Sequence, residues 1–325
     1  MKYLNVGKGI LIGHSAIKSL QNVDSIIFDC DGVLIDVSKS YDLAIKQTTS
    51  YVLRNFMKIN TVKISPKIIS NFKSTGGFND EVDVTYASIL SLVAAKRLGI
   101  DPRKFIDKVA KNADSTGIVS VEKFLDTTKV DISDIQKKLS YPGPHSTNPL
   151  YQLFDQMFYG QNLYKKIFHK KSKFKQKGLI ENDIVLVTKK LVDVLQNRFS
   201  KKISIVTGRG KESTRYSLAE LFSRFDIDSS FFLEDHPRNL AKPNPKPLVM
   251  SMSRLNSKSC IYVGDSMEDL LMAKSARKLG KQTIFCGIYG TAPDPISKRK
   301  FFEKNNADMI LESIKILPKA LNLAN

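Results

Sequence analysis

Apolar residues follow two rhythms along this chain. Short runs rich in β-branched and aromatic residues end abruptly at glycine or polar residues: Ser25–Phe28, Ile203–Val206, Ser230–Leu233, Ile261–Gly264 and Thr283–Gly287. Each predicts a buried strand. Elsewhere the spacing is helical. Ser40–Met57 places Ala44, Ile45, Tyr51, Val52 and Phe56 on one face behind a Ser40 N-cap, and Pro66 suits the first turn of a helix towards Phe72. Further helices are predicted over Val82–Leu98, Leu150–Phe168 with an interruption at Gly160, Glu181–Phe199, Lys211–Phe225, Pro247–Leu255 and Met267–Leu279. Residues 100–150 are mixed and polar, with a loop at Tyr141-Pro142-Gly143-Pro144, and residues 1–24 suit a hairpin or a helix against a sheet edge.

Strand–helix alternation with short connections predicts an α/β fold, a doubly wound parallel sheet covered on both faces. The helical stretch after the first strand then reads as an insertion. The expected division is a discontinuous core, 1–36 and 181–325, with a mainly helical domain at 37–180.

Composition narrows the partners. Of 325 residues, 51 are Lys or Arg against 32 Asp or Glu, a formal charge of +19, which favours anionic partners such as phosphorylated metabolites, nucleic acid or an acidic surface. Seven lysines fall within Lys165–Lys177, a run that suits a solvated face or a linker. Cys30, Cys260 and Cys286 sit in or beside apolar runs and read as reduced core residues. No apolar run approaches a membrane span, and Gly9–Gly13 is too weak for a secretory signal, so a soluble cytoplasmic protein without a membrane partner is expected.

The candidate chemistry lies where strands end. Ser25–Phe28 runs into Asp29-Cys30-Asp31-Gly32; alternation sends both carboxylates one way and Cys30 the other. Two carboxylates at the mouth of a buried strand call for a neutralising group, and a hard divalent cation is the obvious one. Alone, Asp-x-Asp is expected about once by chance in a chain of this length. Ile203–Val206 runs into Thr207-Gly208-Arg209-Gly210, a hydroxyl followed by glycines whose N–H groups can approach an anion, or else a plain turn. Pro243 and Pro245 stiffen the loop that carries Lys242. Asp265 ends another strand, and Asp269 follows one helical turn later, where acidic residues also serve as ordinary N-terminal caps.

Asp29-Cys30-Asp31-Gly32-Val33, Val206-Thr207-Gly208-Arg209, Lys242-Pro243-Asn244-Pro245 and Val263-Gly264-Asp265-Ser266-(x)2-Asp269, in this order, resemble the motifs of the haloacid dehalogenase superfamily. The likeness covers residues 25–36 and 181–320. The large helical insertion is similar to the cap of its phosphoglycolate phosphatase-like branch. The resemblance implies a Rossmann-like core and an Mg²⁺-dependent phosphatase for a small phosphorylated metabolite, working through an aspartyl-phosphate. It implies Asp29 as nucleophile, Asp31 as acid and base, and Thr207, Gly208 and Lys242 as phosphate ligands. Metal would be held by the carboxylates of Asp29 and Asp265 and the Asp31 carbonyl, with Asp269 and Arg209 as supports. The Lys73–Asp80 loop stands where that branch has its specificity loop, which makes Lys73, Gly76, Gly77 and Asn79 candidates for substrate contact; a helix–helix turn explains the same glycines. The insertion is longer than usual for such a cap, and the 24-residue leader is atypical. Alternative readings are a sugar-phosphate mutase, a nucleotide or nucleic-acid-end phosphatase, and a basic nucleic-acid-binding protein. A dehalogenase is disfavoured because halide departure would leave Asp31 without a task.

Overall fold

The structure, a computed structural model, describes residues 2–60, 63–78 and 80–323. In chain order, β1 (Tyr3–Gly7) and β2 (Ile10–Gly13) form a hairpin, followed by α1 (His14–Leu20), β3 (Ser25–Phe28) and the short β4 (Ile35–Asp36). Seven helices come next: α2 (Ser40–Met57), α3 (Pro66–Ser74), α4 (Glu81–Leu98), α5 (Pro102–Asn112), α6 (Ile118–Asp126), α7 (Ser133–Leu139) and α8 (Pro149–Phe168). The chain continues through β5 (Ile184–Val185), α9 (Lys189–Arg198), β6 (Ile203–Thr207), α10 (Lys211–Leu218), β7 (Phe231–Phe232) and α11 (Lys246–Arg254). It ends with β8 (Ser259–Gly264), α12 (Met267–Lys278), β9 (Gln282–Ile288), α13 (Pro295–Lys304), β10 (Met309–Leu311) and α14 (Leu317–Ala320). Two compact units result, Met1–Ser38 with Asp183–Asn325, and Lys39–Asn182.

In the first unit, one sheet has the order β1-β2-β10-β9-β8-β3-β6-β7, parallel from β10 to β7, with the hairpin added antiparallel through β2. Strand periodicity divides the side chains between two cores. Ile26, Phe28 and Cys30 join Ile205, Val263 and the inner faces of α9 and α14 on one side. Ile27 joins Val206, Tyr262, Phe285, α11 and α12 on the other. The leader supplies both predicted alternatives, a hairpin and then a helix.

Several boundaries differ from the sequence reading. Glu181–Phe199 is a single 3-10 turn, the edge ribbon β5 paired with β4, and then a helix only from Lys189, where Thr188 caps it. The helix expected over Lys211–Phe225 stops at Leu218, because Ala219 turns to φ +48° and a 3-10 stretch follows. The strand at Ser230–Leu233 shrinks to two residues as Ser230 turns its hydroxyl to the Ile205 N–H and the Asp226 carbonyl. α13 falls outside the elements that the sequence pattern predicts.

In the second unit, α4 is buried on all sides from Val82 to Ala95, against α2, α5, α6 and α8. The stretch read as mixed and polar is the helical α5–α7. Its buried stripes, Phe105/Ile106/Val109/Ala110 and Val121/Leu125, are narrow, and the remaining faces are charged. The interruption in α8 is a close approach. Gly160 has φ +68°, and a Cβ there would lie 2.2 Å from the Gly178 nitrogen. Gly160→Ala should therefore destabilise the protein by about 2–4 kcal/mol. Urea denaturation measures this, and a loss below about 1 kcal/mol would show that the return segment yields easily.

Candidate active site

Chain order reverses at β3. The strands β6 and β7 follow it to one side, and β8, β9 and β10 to the other. Groups at the carboxyl ends of β3, β6 and β8 therefore meet in the crevice at the switch point. Asp29 is the first residue beyond β3, buried, its N–H donating to the Val263 carbonyl at 2.8 Å. Two glycines let the next strand end come close. At Gly32, φ +74°, a Cβ would lie 2.5 Å from the Asp265 carboxyl carbon; at Gly264 it would lie 2.4 Å from Asp269 Cβ. No other residue type would fit either position without displacing a carboxylate.

Carboxylate oxygens of Asp29, Asp265 and Asp269 lie within 4.8 Å of one another. Lys242 Nζ stands between two of them, 2.7 Å from Asp29 Oδ1 and 2.7 Å from Asp269 Oδ1. Asp269 is fully engaged. Its Oδ1 also accepts from the Tyr262 hydroxyl at 2.7 Å, and its Oδ2 accepts from the Ser266 hydroxyl at 2.7 Å and from the N–H groups of Ser266 and Asp265. The acidic residue thus does cap α12, completing a capping box with Ser266, while it also grips the lysine.

Burial pushes the Asp29 carboxyl well above the usual carboxylate range; Lys242 opposes this, while Asp269 and Asp265 add to it. For Asp269 burial acts the same way, but Lys242 and the donated hydrogen bonds outweigh it and hold the carboxyl below its ordinary value. Burial alone would lower the Lys242 ammonium, yet Asp269 and Asp29 carry it well upward, so it stays charged. Glu268, beside them, is pushed up to about 8 by burial and then by Asp269.

On the β6 side, Thr207 is buried at the strand end, and Gly208 is exposed with open space where a Cβ would project. The N-terminus of α10 is already covered by acids, with Gly210 N–H on Glu234 at 2.8 Å and Lys211 N–H on Asp235 at 2.8 Å. Arg209 is 2% exposed; its Nη2 lies 2.7 Å from Asp183 Oδ2 and its Nη1 3.5 Å from Asp31 Oδ1. Asp183, Tyr262 and Glu268 are not among the site residues that the sequence pattern points to. Asp183 was absorbed into the predicted helix and Tyr262 into an apolar strand run.

The insert candidates lie in the second unit. Lys73 pairs with Glu81 at 2.8 Å. Gly76 takes φ +76° with open space beside it, just past α3. Gly77 abuts residues 114–117, its would-be Cβ 2.5 Å from the Gly117 nitrogen, which gives it a packing reason for being glycine. Asn79 lies outside the described residues. The lysine run occupies the end of α8 and the return segment, its lysines exposed, while Phe174 packs edge-on against Tyr51. No helix among the described residues is long and apolar enough to cross a membrane.

The fold and site define a Rossmann-like α/β core with acidic groups and a lysine converging at its switch point. Residues 150–277 match the family model of the haloacid dehalogenase-like hydrolases. Phosphatase Tt82 from Thermococcus thioreducens shares the fold at a TM-score of 0.56 and 21% identity, over 83% of this chain and 94% of that one. A haloacid dehalogenase-like hydrolase from Bacteroides fragilis does so at 0.52 and 16%, over 91% of this chain and 99% of that one. An imidazoleglycerol-phosphate dehydratase from Phytophthora nicotianae is 29% identical over 145 residues, covering 41% of this chain and 30% of that protein. Over residues 150–277 the chain is thus similar to the haloacid dehalogenase-like hydrolases, and its fold is similar to those of the two solved structures.

Proposed function

We propose that the protein hydrolyses phosphomonoesters with Asp29 as the nucleophile. The observation that carries this reading is Lys242 Nζ, buried and held 2.7 Å from both Asp29 and Asp269 with the Asp265 carboxylate alongside. A phosphate ester repels a nucleophilic carboxylate, so attack needs cationic groups fixed at the reacting oxygens. Asp29 attacks phosphorus and the ester oxygen departs, leaving an aspartyl-phosphate that water then cleaves. Asp31 gives its proton to the departing oxygen and takes one from that water. Arg209, 3.5 Å away, holds the Asp31 carboxylate in position. Thr207 and the Gly208 N–H bind the transferring oxygens, and Lys242 neutralises them as a point charge. Asp269 keeps the lysine charged and aimed.

The donor set fits a hard divalent cation. Asp29 and Asp265 bring like charges together in a buried place, and that crowding contributes to the upward shift of Asp29. Asp269, with both oxygens engaged, is a poorer ligand, so Asp29, Asp265 and the Asp31 carbonyl would hold Mg²⁺. When bound, the ion supplies charge neutralisation at the phosphoryl oxygens.

The substrate is a small phosphorylated metabolite. The Phytophthora relative is named for a phosphorylated imidazole compound, which makes an imidazole-bearing phosphomonoester the first member of a panel to test. Phosphate release should require Mg²⁺ and disappear with EDTA, and the ion should raise the melting temperature of the metal-free protein. Free phosphate, rather than an isomerised sugar phosphate, separates hydrolysis from a mutase. Turnover unaffected by EDTA, or none across the panel with Mg²⁺, would count against the proposal.

A further inference from the structure

We infer that Thr291 is a positioning residue for Asp31, acting on the turn that carries it. This rests on the phosphatase reading above. The Thr291 hydroxyl donates to the Gly32 carbonyl at 2.8 Å, across 259 residues of sequence. That carbonyl belongs to the residue after Asp31, in the turn closed by Leu34 N–H on the Cys30 carbonyl at 2.7 Å and by Gly32 N–H on the Ile35 carbonyl at 2.8 Å. Gly32 is at φ +74° with the Asp265 carboxylate against its Cα, so the peptide has little freedom on that side.

Thr291 is itself anchored. Its neighbours Tyr289 and Gly290 donate backbone hydrogen bonds to the carbonyls of Leu311 and Glu312 at 3.1 and 2.9 Å, which tie it to the end of β10. The turn is thus held from β9 through Thr291, while Arg209 faces the Asp31 carboxylate from β6. Without the hydroxyl a partly buried carbonyl loses its donor, and the peptide beside Asp31 can tilt. A shift of about 1 Å in a proton donor can cost on the order of 10²-fold in rate.

An acid is needed in proportion to how poor the leaving group is, which separates positioning of Asp31 from general damage. For Thr291→Val, kcat/KM towards an alkyl phosphomonoester should fall roughly 10- to 100-fold. With p-nitrophenyl phosphate, whose leaving group departs unaided, it should change by no more than about twofold. Thr291→Ser should restore the alkyl rate, and Thr291→Ala repeats the comparison should the valine variant fold poorly. An equal loss on both esters, or an unchanged alkyl rate, overturns the assignment and leaves the phosphatase reading standing. A wild-type enzyme that hydrolyses neither ester overturns both.

Discussion

Asp29→Asn is expected to abolish turnover and to leave the metal-free protein at least as stable as the parent. Losing the attacking carboxylate removes the covalent route altogether, so the rate should drop at least about 10⁴-fold. Stability moves the other way because of where the charge sits. Asp29 is buried beside Asp265 and Asp269, and its carboxyl is pushed well above the ordinary range. An acid whose pKa is higher folded than unfolded opposes folding once ionised: stability is lost as pH rises from the unfolded value towards the folded one. At neutral pH the native enzyme bears that penalty, and the amide does not. Lys242 keeps Asp269 at 2.7 Å, so the ammonium is not stranded. Phosphate release and thermal melting without metal, measured on the same preparation, check both halves. Activity above about one per cent of wild type would remove Asp29 from its role. A clear drop in melting temperature would mean that Lys242 attracts Asp29 more strongly than burial and like charges oppose it.

The residues of this site differ in how visible they are from sequence. Asp29, Thr207 and Asp265 stand directly after apolar runs, and a parallel sheet buried on both faces writes such runs plainly, so the position of each group at a strand end is legible. The order of the strands then brings them together. Asp183 carries no such mark. It meets Arg209 only because the chain returns from the insert beside β6, a relation set by topology over 26 residues. Tyr262 is hidden differently, since its ring belongs to the apolar run and its hydroxyl reveals its role only against Asp269. The glycines divide in the same way. Gly32 follows an aspartate where a turn is needed, whereas the reason for Gly77 is backbone of residues 114–117, far along the chain. In the insert, α4 carries enough apolar residues around its circumference to read clearly, while α5 and α6 keep regular but thin apolar stripes that their polar residues outnumber, so the stretch reads as polar.

Replacing Arg209 by leucine is expected to destabilise the protein by about 3–5 kcal/mol, because its partner is left as a buried charge. The Asp183 side chain is 4% exposed and that of Arg209 fully buried; one Asp183 oxygen takes the guanidinium at 2.7 Å and the Ser217 hydroxyl at 2.7 Å, and the other has no hydrogen-bond partner among the described residues. Without the arginine, the Asp183 carboxylate keeps the Ser217 hydroxyl but loses the guanidinium that compensates its burial, which costs stability. Asp183→Asn in the same chain removes that charge, so the double variant should recover at least about 1–2 kcal/mol relative to the sum of the single losses. Urea denaturation of the two single variants and the double variant measures this coupling. Purely additive losses would show that the two side chains act by filling space and that their charges are incidental. Activity adds a further separation, since Asp31 Oδ1 faces Arg209 Nη1 at 3.5 Å. The double variant should therefore regain stability and still hydrolyse alkyl phosphomonoesters slowly, because an asparagine at 183 relieves the stranded charge without returning the guanidinium to Asp31.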